Sequence, residues 1–190
     1  MKALRPLVTT LSAPLIRWLA ATPLTPNQLT LLGLVLNGAV AAVLAFGNVR
    51  LGGVLVLLAS AFDLVDGALA RATGRVSRFG AFLDSTLDRV AEGLLFLGLA
   101  GRGARHGESG LPLWAFLASA TSLLVSYSRA RAEGLGVRGE AGLFDRPARV
   151  VTLAVGLLLG QVRLALVLIT LGAALTVLQR IAAVRQQLPD

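Results

Sequence analysis

The sequence predicts an all-α integral membrane protein, and three observations carry that expectation. Of its 190 residues 55% are hydrophobic, with a mean hydropathy of +0.76. Only 15% are charged, too few to cover a soluble domain of this size with polar surface. The apolar residues fall into six stretches, roughly 27–46, 51–72, 79–101, 111–132, 147–161 and 163–184. About 20 helical residues cross the hydrocarbon core, so most of these stretches are long enough to span it, and the fifth is the shortest.

Residues 1–23 read as an amphipathic interfacial helix ahead of the first span. Leu4, Leu7, Val8, Leu11, Leu15 and Leu19 are apolar there, while Lys2, Arg5 and Arg17 are available to headgroups. Arg5, Pro6, Pro14 and Arg17 interrupt what a signal peptide would need as its apolar region. Residues 24–190 then form one six-helix domain. Its first helix has a strong start signal: Thr25 as cap, Pro26 at the first helical position and Gln28 completing a capping box. Gly47-Asn48 ends that helix, and Gly101 to Gly110 reads as the polar turn after the third.

The net charge is +8, and Lys2 is the only lysine. A basic chain this apolar is expected to meet anionic headgroups and phosphorylated substrates, with no nucleic-acid partner. With six crossings, the arginines at 71, 75, 78, 129, 131, 138, 146, 149, 180 and 185 share one side with the N-terminus. Arg50, Arg102, Arg105 and Arg163 lie on the other, so the richer side is expected to be cytoplasmic. The absence of cysteine excludes disulfides and thiolate metal sites. His106 falls in the outer loop, away from other candidate ligands.

Asp63, Asp66, Asp84 and Asp88 lie in otherwise apolar helices, where an ionised carboxylate is costly and marks a functional site. Asp63 is 12 residues in from Leu51 and Asp88 is 12 in from Ala100, each about 18 Å deep at helical rise. If the second and third helices are antiparallel neighbours joined through Gly74, Asp63 lies beside Asp88 and Asp66 near Asp84. Spacings of three and four residues put each pair on one helix face. Four converging carboxylates need cations, and an all-oxygen ligand set favours hard ions such as Mg²⁺, Mn²⁺ or Ca²⁺. Two ions could be bracketed to clamp a diphosphate. Structural ion pairing with Arg71, Arg78 and Arg89, or a cation-transport site, are the readings that compete with this one. Gly67 and Gly80, beside the carboxylates, leave room for a bulky polar ligand, although small residues also serve helix packing.

The run Asp63-Leu-Val-Asp66-Gly67-Ala-Leu-Ala70-Arg71, then eight residues, Gly80, three residues, Asp84, three residues and Asp88, resembles the CDP-alcohol phosphotransferase signature at every fixed position. That resemblance implies metal binding by Asp63, Asp66, Asp84 and Asp88, with Asp88 also the catalytic base. It implies a CDP site formed by Asp66, Gly67, Arg71 and Gly80. Thr25-Pro26-Asn27-Gln28 is similar to the family's start of the first membrane helix, which adds Asn27 as a nucleotide contact or simply as part of a capped helix start. The implied cofactors are two divalent cations, Mg²⁺ or Mn²⁺.

Ser126-Tyr127-Ser128-Arg129-Ala130-Arg131-Ala132-Glu133-Gly134, with Asp145-Arg146-Pro147-Ala148-Arg149, resembles the branch that makes phosphatidylinositol phosphate and its archaeal ether-lipid relatives. It implies that Arg129, Arg131 and Arg149 bind the acceptor's phosphate, a task suited to guanidinium groups. Relatives often carry Lys at the position of Arg129. Arg138 and Arg146 read equally well as an ordinary positive-inside flank. The expected enzyme moves a phosphatidyl group from CDP-diacylglycerol to inositol 1-phosphate and releases CMP, working as a homodimer in the cytoplasmic membrane. Glycerol 3-phosphate as acceptor, a CDP-inositol donor, an intramembrane prenyltransferase and a divalent-cation transporter are the alternatives.

Overall fold

A computed structural model describes residues 20–188, and the expected interfacial helix at the N-terminus lies outside the described residues. Six helices follow: α1 Pro26–Phe46, α2 Val49–Ala72, α3 Arg78–His106, α4 Leu111–Gly134, α5 Arg146–Leu158 and α6 Val162–Gln187. The capping box forms as the sequence predicts, with Gln28 N–H donating to Thr25 Oγ1 at 3.3 Å and Thr25 N–H to Gln28 Oε1 at 2.8 Å. Asn48 caps α2, Ser77 caps α3 and Asp145 caps α5 through their side chains. Each polar residue takes up backbone N–H groups left without an intrahelical partner. Gly74 adopts a φ of 66°, and Arg75 N–H reaches back to Ala70 O at 2.9 Å, which closes α2 and turns the chain toward α3.

Among the described residues, α1, α2, α4 and α6 are long and apolar enough to cross a membrane, the mark of a multi-pass membrane protein. α3 is long, but Asp84, Asp88, Arg89 and Glu92 interrupt it, and α5 has only 13 residues. The outward faces are apolar, with Leu58, Leu97, Phe116, Leu171 and Leu178 exposed. Such a surface suits lipid rather than water.

Two expectations from the sequence need correction. α3 does not stop near residue 101 but continues to His106, and the turn is confined to Gly107, at φ 65°, and the residues up to Gly110. Gly103 is not a helix breaker: a Cβ there would lie 2.8 Å from Pro112 Cδ, so the missing side chain lets α4 start against α3. The second correction concerns packing. The helices form a closed ring in the order α1, α2, α5, α6, α4, α3, and back to α1. α2 and α3 therefore both pack on α1 rather than closely on each other.

The ring is tied by a core that includes Leu44, Val56, Leu99, Leu157, Leu166 and Ile169, all fully buried. At Gly98 the backbones of α3 and α1 cross closely, since a Cβ there would fall 2.4 Å from the Ala41 carbonyl oxygen of α1. Backbone cannot yield as a side chain can, so Gly98→Ala is expected to destabilise the fold by about 1–3 kcal/mol. Gly93→Ala on the same helix, with open space around its Cβ, is expected to be neutral or mildly stabilising. Thermal unfolding of the two purified variants beside the parent protein checks both.

Candidate active site

The four aspartates are carried by α2 and α3 where those helices diverge around α1. Asp66 is buried at 6% exposure, and one of its oxygens accepts a 2.7 Å hydrogen bond from Thr30 Oγ1 of α1. Gly67 N–H donates to the other. Asp63 fits against α1 at Gly33, where a Cβ would stand 2.9 Å from Asp63 Oδ1. α1 thus holds both carboxylates of α2 in place, one by a hydroxyl and the other by a missing side chain.

A cavity of about 260 Å³ opens between the ends of α1, α2 and α3. Asn27, Asp66, Gly67, Arg71, Gly80 and Asp84 line it, so the residues that the sequence assigned to a nucleotide share one space. Gly80 N–H is held by Ser77 Oγ at 2.9 Å, and a Cβ at Gly80 would sit 3.2 Å from Asn27 Oδ1. A side chain there would push into the groove between α1 and α3. Asn27, residue 2 of α1, is therefore both part of a capped helix start and a wall of the cavity.

Asp63 and Asp88 lie together on another side of the site, and Arg146 joins them. Its Nη2 is 2.7 Å from Asp63 Oδ2 and its Nη1 is 2.9 Å from Asp88 Oδ2. Arg89 adds a looser contact to Asp88 at 3.6 Å. Asp63 and Asp88 share the Arg146 guanidinium, and Asp66 and Asp84 line one cavity. The four do not fully converge: among the described residues no three acidic or imidazole side chains come within range of one common ion. The guanidinium fills the space between Asp63 and Asp88, and α2 and α3 stand apart across α1.

The donor set nevertheless fits a hard cation. Every ligand is a carboxylate oxygen, two of them already bracket one positive charge, and His106 is exposed at the far end of α3. Arg146 was read from sequence as a possible flanking charge, because a basic residue near a helix end gives no sign of which carboxylate it will meet.

The arginines assigned to the acceptor separate into three settings. Arg129 is half-exposed and pairs with Glu133 at 2.8 Å and Glu140 at 3.8 Å. Arg131 is exposed and lines an apolar groove between α4 and α6 with Tyr127, Arg180 and Arg185. Arg149 is only 2% exposed and grips Glu92 of α3 through two bonds of 2.7 and 2.8 Å. Arg180 was missed by the sequence reading, since it lies in the last apolar helix outside any motif. It is 4% exposed, donates to the carbonyls of Val125 and Ala141 and to Ser128 Oγ, and has Arg129, Glu133 and Arg149 as charged neighbours. Among the described residues no carboxylate is one of its hydrogen-bond partners.

Residues 23–178 match the CDP-alcohol phosphatidyltransferase family across most of the chain. The chain belongs to that family. Among its relatives, phosphatidylinositol phosphate synthase of Mycobacteroides abscessus is 37% identical over 90% of this chain and 82% of that protein. Archaetidylinositol phosphate synthase of Pyrococcus horikoshii is 35% identical over 90% of this chain and 88% of that protein. The crystal structure of the Mycobacterium tuberculosis phosphatidylinositol phosphate synthase with CDP-DAG bound is similar in fold, with a TM-score of 0.86 and 32% identity over 92% of this chain and 93% of that one. The same protein in complex with manganese and citrate superposes with a TM-score of 0.84, covering 90% of this chain and 87% of that one. In this CDP-alcohol phosphatidyltransferase, the family signature is thus the wall of one cavity and the bracket around Arg146.

The Arg149–Glu92 pair gives a prediction independent of catalysis. Removing one partner of a buried ion pair strands the other, so Glu92→Gln is expected to cost about 3–5 kcal/mol of stability. Replacing both, as in Glu92→Gln with Arg149→Met, is expected to recover most of it, as read from thermal unfolding.

Proposed function

We propose that this chain transfers a phosphatidyl group from CDP-diacylglycerol to the hydroxyl of a phosphorylated polyol, inositol 1-phosphate, giving phosphatidylinositol phosphate and CMP. The observation that carries the reading is the single cavity in which Asn27, Asp66, Gly67, Arg71, Gly80 and Asp84 meet beside the Asp63 and Asp88 pair. The names of the synthases from Mycobacteroides abscessus and Pyrococcus horikoshii support inositol phosphate chemistry, and the CDP-DAG complex of the Mycobacterium tuberculosis protein supports the donor.

In this reading the cytidine diphosphate lies along the cavity, with Asn27, Gly67 and Gly80 giving close approach and Arg71 facing phosphate. Asp63, Asp66, Asp84 and Asp88 would hold two divalent cations, Mg²⁺ or Mn²⁺, whose charge stabilises the diphosphate as CMP departs. Asp88 takes the proton of the attacking hydroxyl, which bonds to the phosphorus bearing the diacylglycerol. Thr30 keeps the Asp66 carboxylate aimed at the cavity.

The acceptor's phosphate is assigned to Arg129, Arg131 and Arg149, with Arg180 added. Arg180 is a buried guanidinium with Arg129, Glu133 and Arg149 as charged neighbours and, among the described residues, no bonded carboxylate; the excess of positive charge favours an anion beside it. Arg149, held by Glu92, contributes positive charge from behind. The reading places the site on the cytoplasmic side of the cell membrane, with all six helices of residues 24–190 crossing, an interfacial segment at 1–23 and a homodimeric assembly.

Purified protein should release CMP from CDP-diacylglycerol when given inositol 1-phosphate, and only slowly with free inositol or serine. Preference for glycerol 3-phosphate, or release only from a CDP-inositol donor, would reassign the substrates. Absence of CMP release with every donor and acceptor would overturn the transferase reading. Excess chelator should abolish turnover. Asp88→Asn should abolish transfer while CDP-lipid still binds, because the amide keeps the shape but accepts no proton. For the acceptor, Arg131→Ala and Arg180→Ala should each raise the KM for inositol 1-phosphate about ten- to a hundredfold while the donor KM changes little.

A further inference from the structure

We infer that Arg146 is a built-in counter-cation that occupies the Asp63 and Asp88 carboxylates in the metal-free protein and is exchanged for the divalent ion. This inference rests on the metal-binding reading of those aspartates.

The position of Arg146 is not explained by its own helix. It is the first residue of α5, where the helix dipole disfavours a positive charge. Its backbone is fixed on both sides: Asp145 accepts from Ala148 N–H at 3.2 Å, and Arg149 is pinned to Glu92. Only the side chain is free to change place, and at 28% exposure it has a way out.

The attachment is strong but incomplete. Both terminal nitrogens meet carboxylates, at 2.7 and 2.9 Å, while the buried Nε has no hydrogen-bond partner among the described residues. The guanidinium is thus held by Asp63 Oδ2 and Asp88 Oδ2 and by little else. A divalent cation claiming those oxygens weakens the attraction and adds repulsion, which drives the guanidinium off the pair. Release also lets Nε find a partner in water or on a phosphate oxygen.

The exchange has two consequences. Without metal the two carboxylates are not left facing each other uncompensated, so the chain folds before it is loaded. With metal bound, the freed guanidinium stands beside the site where phosphate groups arrive.

The test is Mn²⁺ binding to the full chain in lipid nanodiscs without substrate, read from the electron paramagnetic resonance signal of free Mn²⁺. Arg146→Gln is expected to bind Mn²⁺ about tenfold or more tightly than the parent, since no cation must be expelled. Arg138→Gln removes the same charge from a side chain that touches neither carboxylate and should leave affinity unchanged. In chelator Arg146→Gln should unfold at a lower temperature than the parent and gain more from added Mn²⁺. Unchanged or weaker affinity in Arg146→Gln, while the parent binds Mn²⁺, overturns the exchange alone. An equal gain in Arg138→Gln overturns it as well, by making the effect one of net charge. Failure of both parent and Arg146→Gln to bind Mn²⁺ overturns the metal reading and the exchange with it.

Discussion

Negative charge held inside apolar helices is the constraint on which the rest of this structure depends. Asp63, Asp66, Asp84 and Asp88 sit on α2 and α3 within a protein whose outer faces are apolar. Carboxylates so placed stay ionised only if positive charge or hydrogen-bond donors meet them. The structure answers differently for each pair. Asp66 accepts hydrogen bonds from Thr30 and from Gly67 N–H, whereas Asp63 and Asp88 share one guanidinium. The ring of helices follows the same need. α1 packs on both α2 and α3, and the cavity that a diphosphate could enter opens between the ends of the three.

Arginine is used in two ways around this centre. Arg149 forms a buried two-bond pair with Glu92 that ties α5 to α3. Arg180 is satisfied by carbonyl and hydroxyl oxygens, which hold its geometry without cancelling its charge. A protein that must receive two phosphorylated substrates at a membrane surface needs charge of this second kind. Arg146 lies between the two: its charge is cancelled, yet by carboxylates that a metal would claim.

Much of the fold was legible because helix periodicity and capping are local. Thr25, Pro26 and Gln28 mark the start of α1 in the sequence, and the structure starts it there. The site was legible for a related reason, since its signature lies on two helices and a short turn, where spacing fixes which face each residue shares. What could not be read is non-local. Gly103 looks like a breaker until Pro112 is seen packed against it, and no pattern in α2 or α3 reveals that α1 lies across them both. Arg149 lies in a motif that points to phosphate, and no pattern reveals that Glu92, 57 residues earlier, also bonds it. Arg180 carries no motif and becomes visible only when α4 and α6 are packed together.

The number of metal ions bound per chain tests the central claim most directly. Equilibrium dialysis of the purified protein against Mn²⁺, with CDP-diacylglycerol present, should give two ions per chain, close enough to broaden each other's resonance. Loss of that pair in Asp66→Ala, with the fold retained, would tie both ions to the carboxylates. A protein that binds no Mn²⁺ under these conditions, or binds it equally well after Asp66→Ala, would contradict the account.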